Sequence, residues 1–117
     1  AAILDGSKTS TTGLLEEYLR EGSEPEQVGS REVVVDSDGR GVAVIETTEV
    51  EVKRMGDVDL RFAQDEGEGF ESVAEWRDAH VAFFTCDEMV AVLGEPPVTI
   101  DDDTLVVCSR FRVVERR

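Results

Sequence analysis

Apolar positions along the chain follow two periods. Arg31 to Val35 and Gly41 to Val50 are rich in valine, isoleucine and threonine, which fit a pleated, half-buried surface. The intervening Asp36-Ser37-Asp38-Gly39-Arg40 carries Asp-Gly, a strong hairpin cue, so the two runs predict an antiparallel pair. Glu51 to Met55 extends the second strand past a bend, and Thr104 to Val114 alternates Val, Cys and Phe with polar residues as a closing strand. Helical spacing dominates elsewhere. Val73, Trp76, Ala79, His80 and Phe83 recur at helical intervals behind Ser72-Val73-Ala74-Glu75, which has the spacing of a capping box; Trp76 and Phe83 are assigned to the core. Leu14-Leu15-Glu16-Glu17-Tyr18-Leu19 starts a second helix, a short one ends near Gln64, and Ala1 to Asp5 reads as the end of a helix stopped by Gly6. Met89 to Leu93 is apolar but too short to assign, and Gly22 to Ser30 is a polar surface connection.

A chain of 117 residues suits one compact domain with a single core, and no second domain is expected. Charge narrows the partners. With 27 acidic against 12 basic residues, the formal net charge of -15 opposes generic nucleic-acid affinity, which rests on neutralising phosphates with Lys and Arg. Lys53-Arg54 and the series Arg110, Arg112, Arg116 and Arg117 are the visible basic clusters, and solvated strand positions account for them. Cys86 and Cys108 form neither a CxxC pair nor a disulfide framework, which points to a reducing cytoplasm. His80 stands alone among histidines, short of a zinc ligand set, and reads as a packing or hydrogen-bonding residue. Asp101-Asp102-Asp103 lacks the ligand spacing of a calcium loop, so neither a metal nor another cofactor is expected. No stretch nears the roughly 20 apolar residues that span a bilayer.

The chemistry is concentrated in Gly6-Ser7-Lys8-Thr9-Ser10-Thr11-Thr12, a lysine among hydroxyls ahead of the Leu14 helix. Free N–H groups at a helix start attract phosphate, carboxylate or an oxyanion. Ser and Thr are also ordinary N-caps, and capping alone accounts for Thr11 or Thr12. The acidic run Asp65-Glu66-Gly67-Glu68-Gly69 is, by itself, a solvated turn.

Gly6-x-Lys8-x-x-Thr11 resembles the signature of the ASCH domain family. The likeness continues, in order, through Glu46-Thr47-Thr48-Glu49-Val50, Phe62 to Gly69, Glu75-Trp76-Arg77-Asp78-Ala79-His80 and Val106 to Phe111. It implies an α+β fold, a small PUA-like β-barrel with flanking helices, over residues 1–117 as a single ASCH domain. Relatives of the longer bacterial type, which Leu14-Leu15-x-x-Tyr18 resembles, carry a further segment ahead of the motif, so a native start before residue 1 is expected. One subgroup is similar to N4-acetylcytidine amidohydrolases, and by position their catalytic set becomes Lys8, Thr11 and Glu66, with Asp65 and Glu68 adjacent to the last. Ser10, Thr12, Tyr18 and Trp76 complete the expected substrate-binding set. Where the short amidohydrolases often carry arginine, this chain has Gly13.

The implied chemistry is attack by Thr11 Oγ on an acyl carbonyl, neutral Lys8 as base, and N–H groups of the next helix start as oxyanion donors. Free lysine titrates at about 10.4, so the base must be desolvated, while a carboxylate at Glu66 works against that unless it orients substrate or water. The partner on this reading is a small nucleoside. The competing readings use the same groove as an RNA-binding module, with Lys8 on phosphate and Tyr18 or Trp76 stacking on bases, or as a ribonuclease.

Overall fold

The computed structural model describes Gly6, residues 8–25 and residues 27–117. The helix end expected over residues 1–5 lies outside the described residues. The elements are β1 (Ser10–Leu14), α1 (Leu15–Glu21), β2 (Arg31–Val35), β3 (Gly41–Arg54), a 3-10 turn (Met55–Asp57), α2 (Leu60–Asp65), α3 (Val73–Phe84), α4 (Asp87–Leu93) and β4 (Leu105–Arg116).

All four strands pair antiparallel in the order β1-β4-β3-β2, and the sheet curls into a half-barrel against the helices. Two register breaks between β3 and β4, at Val44/Ile45 and at Thr47/Glu49, explain the curl. Each inserts an extra residue on one strand, which bends it and sharpens its twist. The β2–β3 hairpin forms where expected: Asp36 Oδ1 accepts from the N–H groups of Asp38 and Arg40, and Gly39 takes the positive φ of 79° that the turn demands.

β1 corrects the sequence reading. Ser10 to Leu14 is a strand in register with Arg110 to Val106, not a loop capping a helix. α1 begins at Leu15, with Leu14 in the cap position and no side-chain cap. Thr11 and Thr12 are β-branched and pair with Ser109 and Cys108, so nonlocal pairing with β4 outweighs their capping tendency.

Caps do set the other helices. Asp59 accepts from the Phe62 N–H at 2.8 Å to open α2, and Ser72 accepts from the Glu75 N–H at 3.1 Å to open α3. The core lies between the sheet and α2–α4 and is built on Leu14, Met55, Phe62, Trp76, Phe84 and Val106. Full burial of each such aliphatic or phenyl group contributes about 2 kcal/mol against conformational entropy. Phe84 (2% exposed), not Phe83 (58%), is the buried member of α3. The inward row runs Trp76–His80–Phe84 at steps of four, and Phe83 falls on its flank.

Candidate functional site

The segment ahead of β1 is held between two distant elements. The Thr9 N–H donates to the Asp65 carbonyl at 2.7 Å, and the Thr9 carbonyl accepts from the Phe111 N–H at 3.0 Å. This places Lys8 at the end of α2, where its Nζ donates to the carbonyl oxygens of Ser10 (2.8 Å) and Glu66 (3.3 Å). Ser10 is fully buried and its hydroxyl donates to the Phe62 carbonyl at 3.0 Å, which ties β1 to α2.

Glu66 ends α2, and Gly67, with a φ of 74°, turns the chain away immediately afterwards. Its side chain runs inward and is 4% exposed, the one buried ionisable acid or base among the described residues apart from the thiol of Cys108. Three donors meet it: Thr12 Oγ1 on Oε1 at 3.0 Å, Trp76 Nε1 on Oε2 at 2.5 Å, and His80 Nε2 beside Oε2 at 3.2 Å. His80 Nδ1 lies 2.8 Å from the Trp76 carbonyl. The imidazole stacks on the Trp76 ring, centroids 4.4 Å apart, and meets Phe84 edge-on at 5.7 Å.

Burial pushes the Glu66 carboxyl up, but the His80 hydrogen bond and charge, with the Trp76 and Thr12 donors, outweigh it and hold it below the ordinary glutamate range. Burial likewise pushes His80 down. The Glu66 hydrogen bond and charge, helped by the Trp76 carbonyl, overcome both that and the opposing charge of Lys8, so His80 titrates above the ordinary histidine range.

Beside this cluster opens a cavity of about 390 Å³. Lys8, Thr11, Thr12, Glu66, Glu68 and His80 supply its polar wall, and Phe70, Ala79 and Phe83 its apolar wall. Four of the seven residues expected from the sequence, Lys8, Thr11, Thr12 and Glu66, therefore share one cavity; Ser10, Tyr18 and Trp76 do not line it. Trp76 is fully buried and acts on Glu66 through its indole N–H, which leaves no face for a base to stack on. Tyr18 lies across Gly13, its ring 3.4 Å from where a Cβ would stand, and so takes the space a longer side chain there would need.

The acidic run also resolves. Asp65 pairs with Arg110 at 2.5 Å, Glu66 is the inward carboxylate, and Glu68 lines the cavity. Helix-start N–H groups are not available behind Thr11, because that stretch is strand. His80, Phe70 and Phe83 were missed as cavity residues. The signal for His80 was its position four residues after Trp76 on one helix face, but its partner Glu66 is brought in by the tertiary fold.

Most side chains of the basic clusters read from the sequence are met by acids. Lys53 pairs with Glu51, Arg54 with Asp57 and Asp103, Arg110 with Glu49 and Asp65, Arg112 with Glu46, and Arg117 with Glu115. Among the described residues no group of three or more His, Cys, Asp or Glu is arranged to hold a metal ion, and no helix is long and apolar enough to cross a membrane.

Comparison with known proteins places this geometry in a family. The crystal structure of an ASCH domain from Lactobacillus crispatus superposes with a TM-score of 0.81 at 34% identity, over 98% of this chain and 69% of that one. A crystal structure of a protein from Enterococcus faecalis superposes with a TM-score of 0.83 at 30% identity, over 98% of this chain and 66% of that one. This chain thus spans about two thirds of the length of either. No curated protein matches it. The family model of the ASCH domain matches residues 1–115, and the resemblance carried by Lys8, Thr11 and the later segments is borne out: this chain belongs to the ASCH domain family.

Proposed function

We propose that this ASCH domain binds a nucleoside-sized heteroaromatic ligand in the cavity beside Glu66 and hydrolyses an exocyclic amide on it, N4-acetylcytidine being the type substrate. The observation that carries the reading is that Lys8, Thr11 and Glu66, from three separate parts of the chain, line one cavity of about 390 Å³. That volume sits at the small end of ligand sites.

In this scheme Lys8 rests as an ammonium, and in the fraction of molecules whose amine is neutral it takes the hydroxyl proton while Thr11 Oγ attacks the acetyl carbonyl carbon. The C–N bond then breaks, and Lys8 returns that proton to the departing N4 amine of cytidine. Water cleaves the acyl-Thr11 ester, releasing acetate and restoring the hydroxyl. Thr12 is the weaker nucleophile because its hydroxyl is already donated to Glu66. A carboxylate offers about four acceptor positions, and three donors meet Glu66, two on Oε2 and one on Oε1. The fourth, on Oε1, serves to orient the substrate N–H or the hydrolytic water. A carboxylate held below its ordinary range is a poor general base, which favours that orienting role.

Charge supports a neutral ligand. Lys8 is offset by Glu68 and His80 by Glu66 at the cavity, while eight of the basic side chains elsewhere already face acids. A phosphate backbone would meet a chain of formal net charge -15.

The test is acetate release from N4-acetylcytidine by the unaltered protein, Lys8→Met and Thr11→Val, with RNA cleavage and salt-dependent RNA binding measured in parallel. Turnover should fall at least about 100-fold in each variant, with circular dichroism unchanged. Undiminished release in either variant, or RNA binding that weakens steeply with salt while no acetate appears, defeats the proposal.

A further inference from the structure

We propose that His80 is a positioning residue of this cavity: a doubly protonated imidazole that holds the Glu66 carboxylate in the orientation that leaves one acceptor position to the ligand. The argument is geometric. His80 Nδ1 faces the Trp76 carbonyl at 2.8 Å and Nε2 faces Glu66 Oε2 at 3.2 Å. A carbonyl and a carboxylate oxygen only accept, whereas a neutral imidazole carries one N–H. A neutral ring therefore sets a lone pair against a lone pair on one side, and the imidazolium alone satisfies both.

The ring has little freedom to escape. Trp76 stacks on it, with planes 28° apart, and Phe84 and Phe70 meet it at 5.7 and 6.1 Å. The charged groups facing it are Glu66 from the end of α2 and Lys8 from the segment ahead of β1, while Glu68 lines the same cavity. Glu66 draws the proton onto the ring and Lys8 opposes it. The balance favours the charged ring, in agreement with the raised titration of His80.

Loss of the His80 proton has a defined consequence. Either the Trp76 carbonyl or Glu66 Oε2 loses its imidazole donor, and in the second case only the Trp76 indole and Thr12 hold the carboxylate, which is then less firmly oriented toward the cavity. Ligand binding should then decline on the alkaline side. The effect on turnover rests on the amide-hydrolysis reading; the pairing and its effect on binding do not.

His80 is the sole histidine, so its ring nitrogens can be followed by 15N NMR in the whole chain without assignment. Both nitrogens should be protonated up to a midpoint above the ordinary value of about 6.5, and Glu66→Gln should lower that midpoint by about one pH unit or more. N4-acetylcytidine affinity should fall through the same midpoint. In His80→Gln that alkaline limb should vanish, and kcat/KM at pH 6 should drop about tenfold, the scale of one lost hydrogen bond to a charged group. Equal midpoints in the unaltered protein and Glu66→Gln overturn the pairing, and a pH profile for His80→Gln that overlays the unaltered protein overturns the positioning role. Nucleoside binding with a His80-dependent alkaline limb but no acetate release sinks the hydrolytic reading and leaves the His80 assignment standing.

Discussion

Replacing Glu66 by alanine should be among the costliest single changes in this chain, and the cost should depend on pH. The substitution strands three donors. Thr12 can redirect its hydroxyl toward the cavity, but Trp76 Nε1 is fully buried, and an unsatisfied buried donor costs about 1–3 kcal/mol. Removing one partner of a buried ion pair costs about 3–5 kcal/mol while the other stays charged. The two figures overlap, so about 4 kcal/mol is expected where His80 is protonated. The sign follows from linkage. Glu66 is lowered from 4.5, so its contribution is present above about pH 4.5 and is lost as pH falls through the folded value. His80 is raised from 6.5, so its contribution is complete below about pH 6.5 and is lost as pH rises through the folded value. The pair therefore contributes most between those values, and the variant should recover relative to the unaltered protein toward pH 8.5, leaving about 2 kcal/mol from the stranded indole. At roughly 4 °C per kcal/mol for a domain of this size, Tm should fall by about 16 °C at pH 5.5. Urea unfolding at pH 5.5 and 8.5, followed by the fluorescence of Trp76, the sole tryptophan, measures both. A loss below about 1 kcal/mol at pH 5.5, or one equal at the two pH values, refutes the reasoning.

Two further outcomes bear on the scaffold. Ser72→Ala removes the acceptor for the Glu75 N–H at the start of α3 and should cost about 1 kcal/mol in urea unfolding without altering nucleoside affinity. An unchanged midpoint would show that the cap contributes nothing. Burial pushes the Cys108 thiol up to about 12, so at pH 8 a thiol reagent should reach only the half-buried Cys86 in the folded protein and both cysteines in urea. Rapid labelling of two thiols in the folded state contradicts the packing around β4.

What the sequence disclosed and what it concealed divide along the range of the interactions involved. The β2–β3 hairpin, the Ser72 cap and the closing strand are local patterns, legible because Asp-Gly, Ser-x-x-Glu and alternating valines act within a few residues. β1 was misread because its identity depends on β4, about a hundred residues away, and hydroxyl residues serve caps and strands equally well. The placement of Phe83 in the core failed by one residue of helical phase. The lysine-and-hydroxyl pattern singled out Lys8 and Thr11, with capping as the alternative, whereas Glu66 entered through family resemblance because its run alone reads as a solvated turn.

The distribution of charge then ties fold to ligand. Among the described residues the surplus of acid lies mostly at the surface, while the one buried carboxylate is matched by an indole, a hydroxyl and an imidazole from two other elements. A buried anion without those donors would take up a proton or unfold its surroundings. With them it is a fixed dipolar pair, and the cavity beside it carries little net charge despite the acidic shell. Such a site discriminates by shape and hydrogen bonding and repels polyanions at long range, more strongly at low salt, where the Debye length grows. Neutral nucleoside affinity should therefore be nearly independent of ionic strength, and that independence separates this cavity from a phosphate-tracking groove.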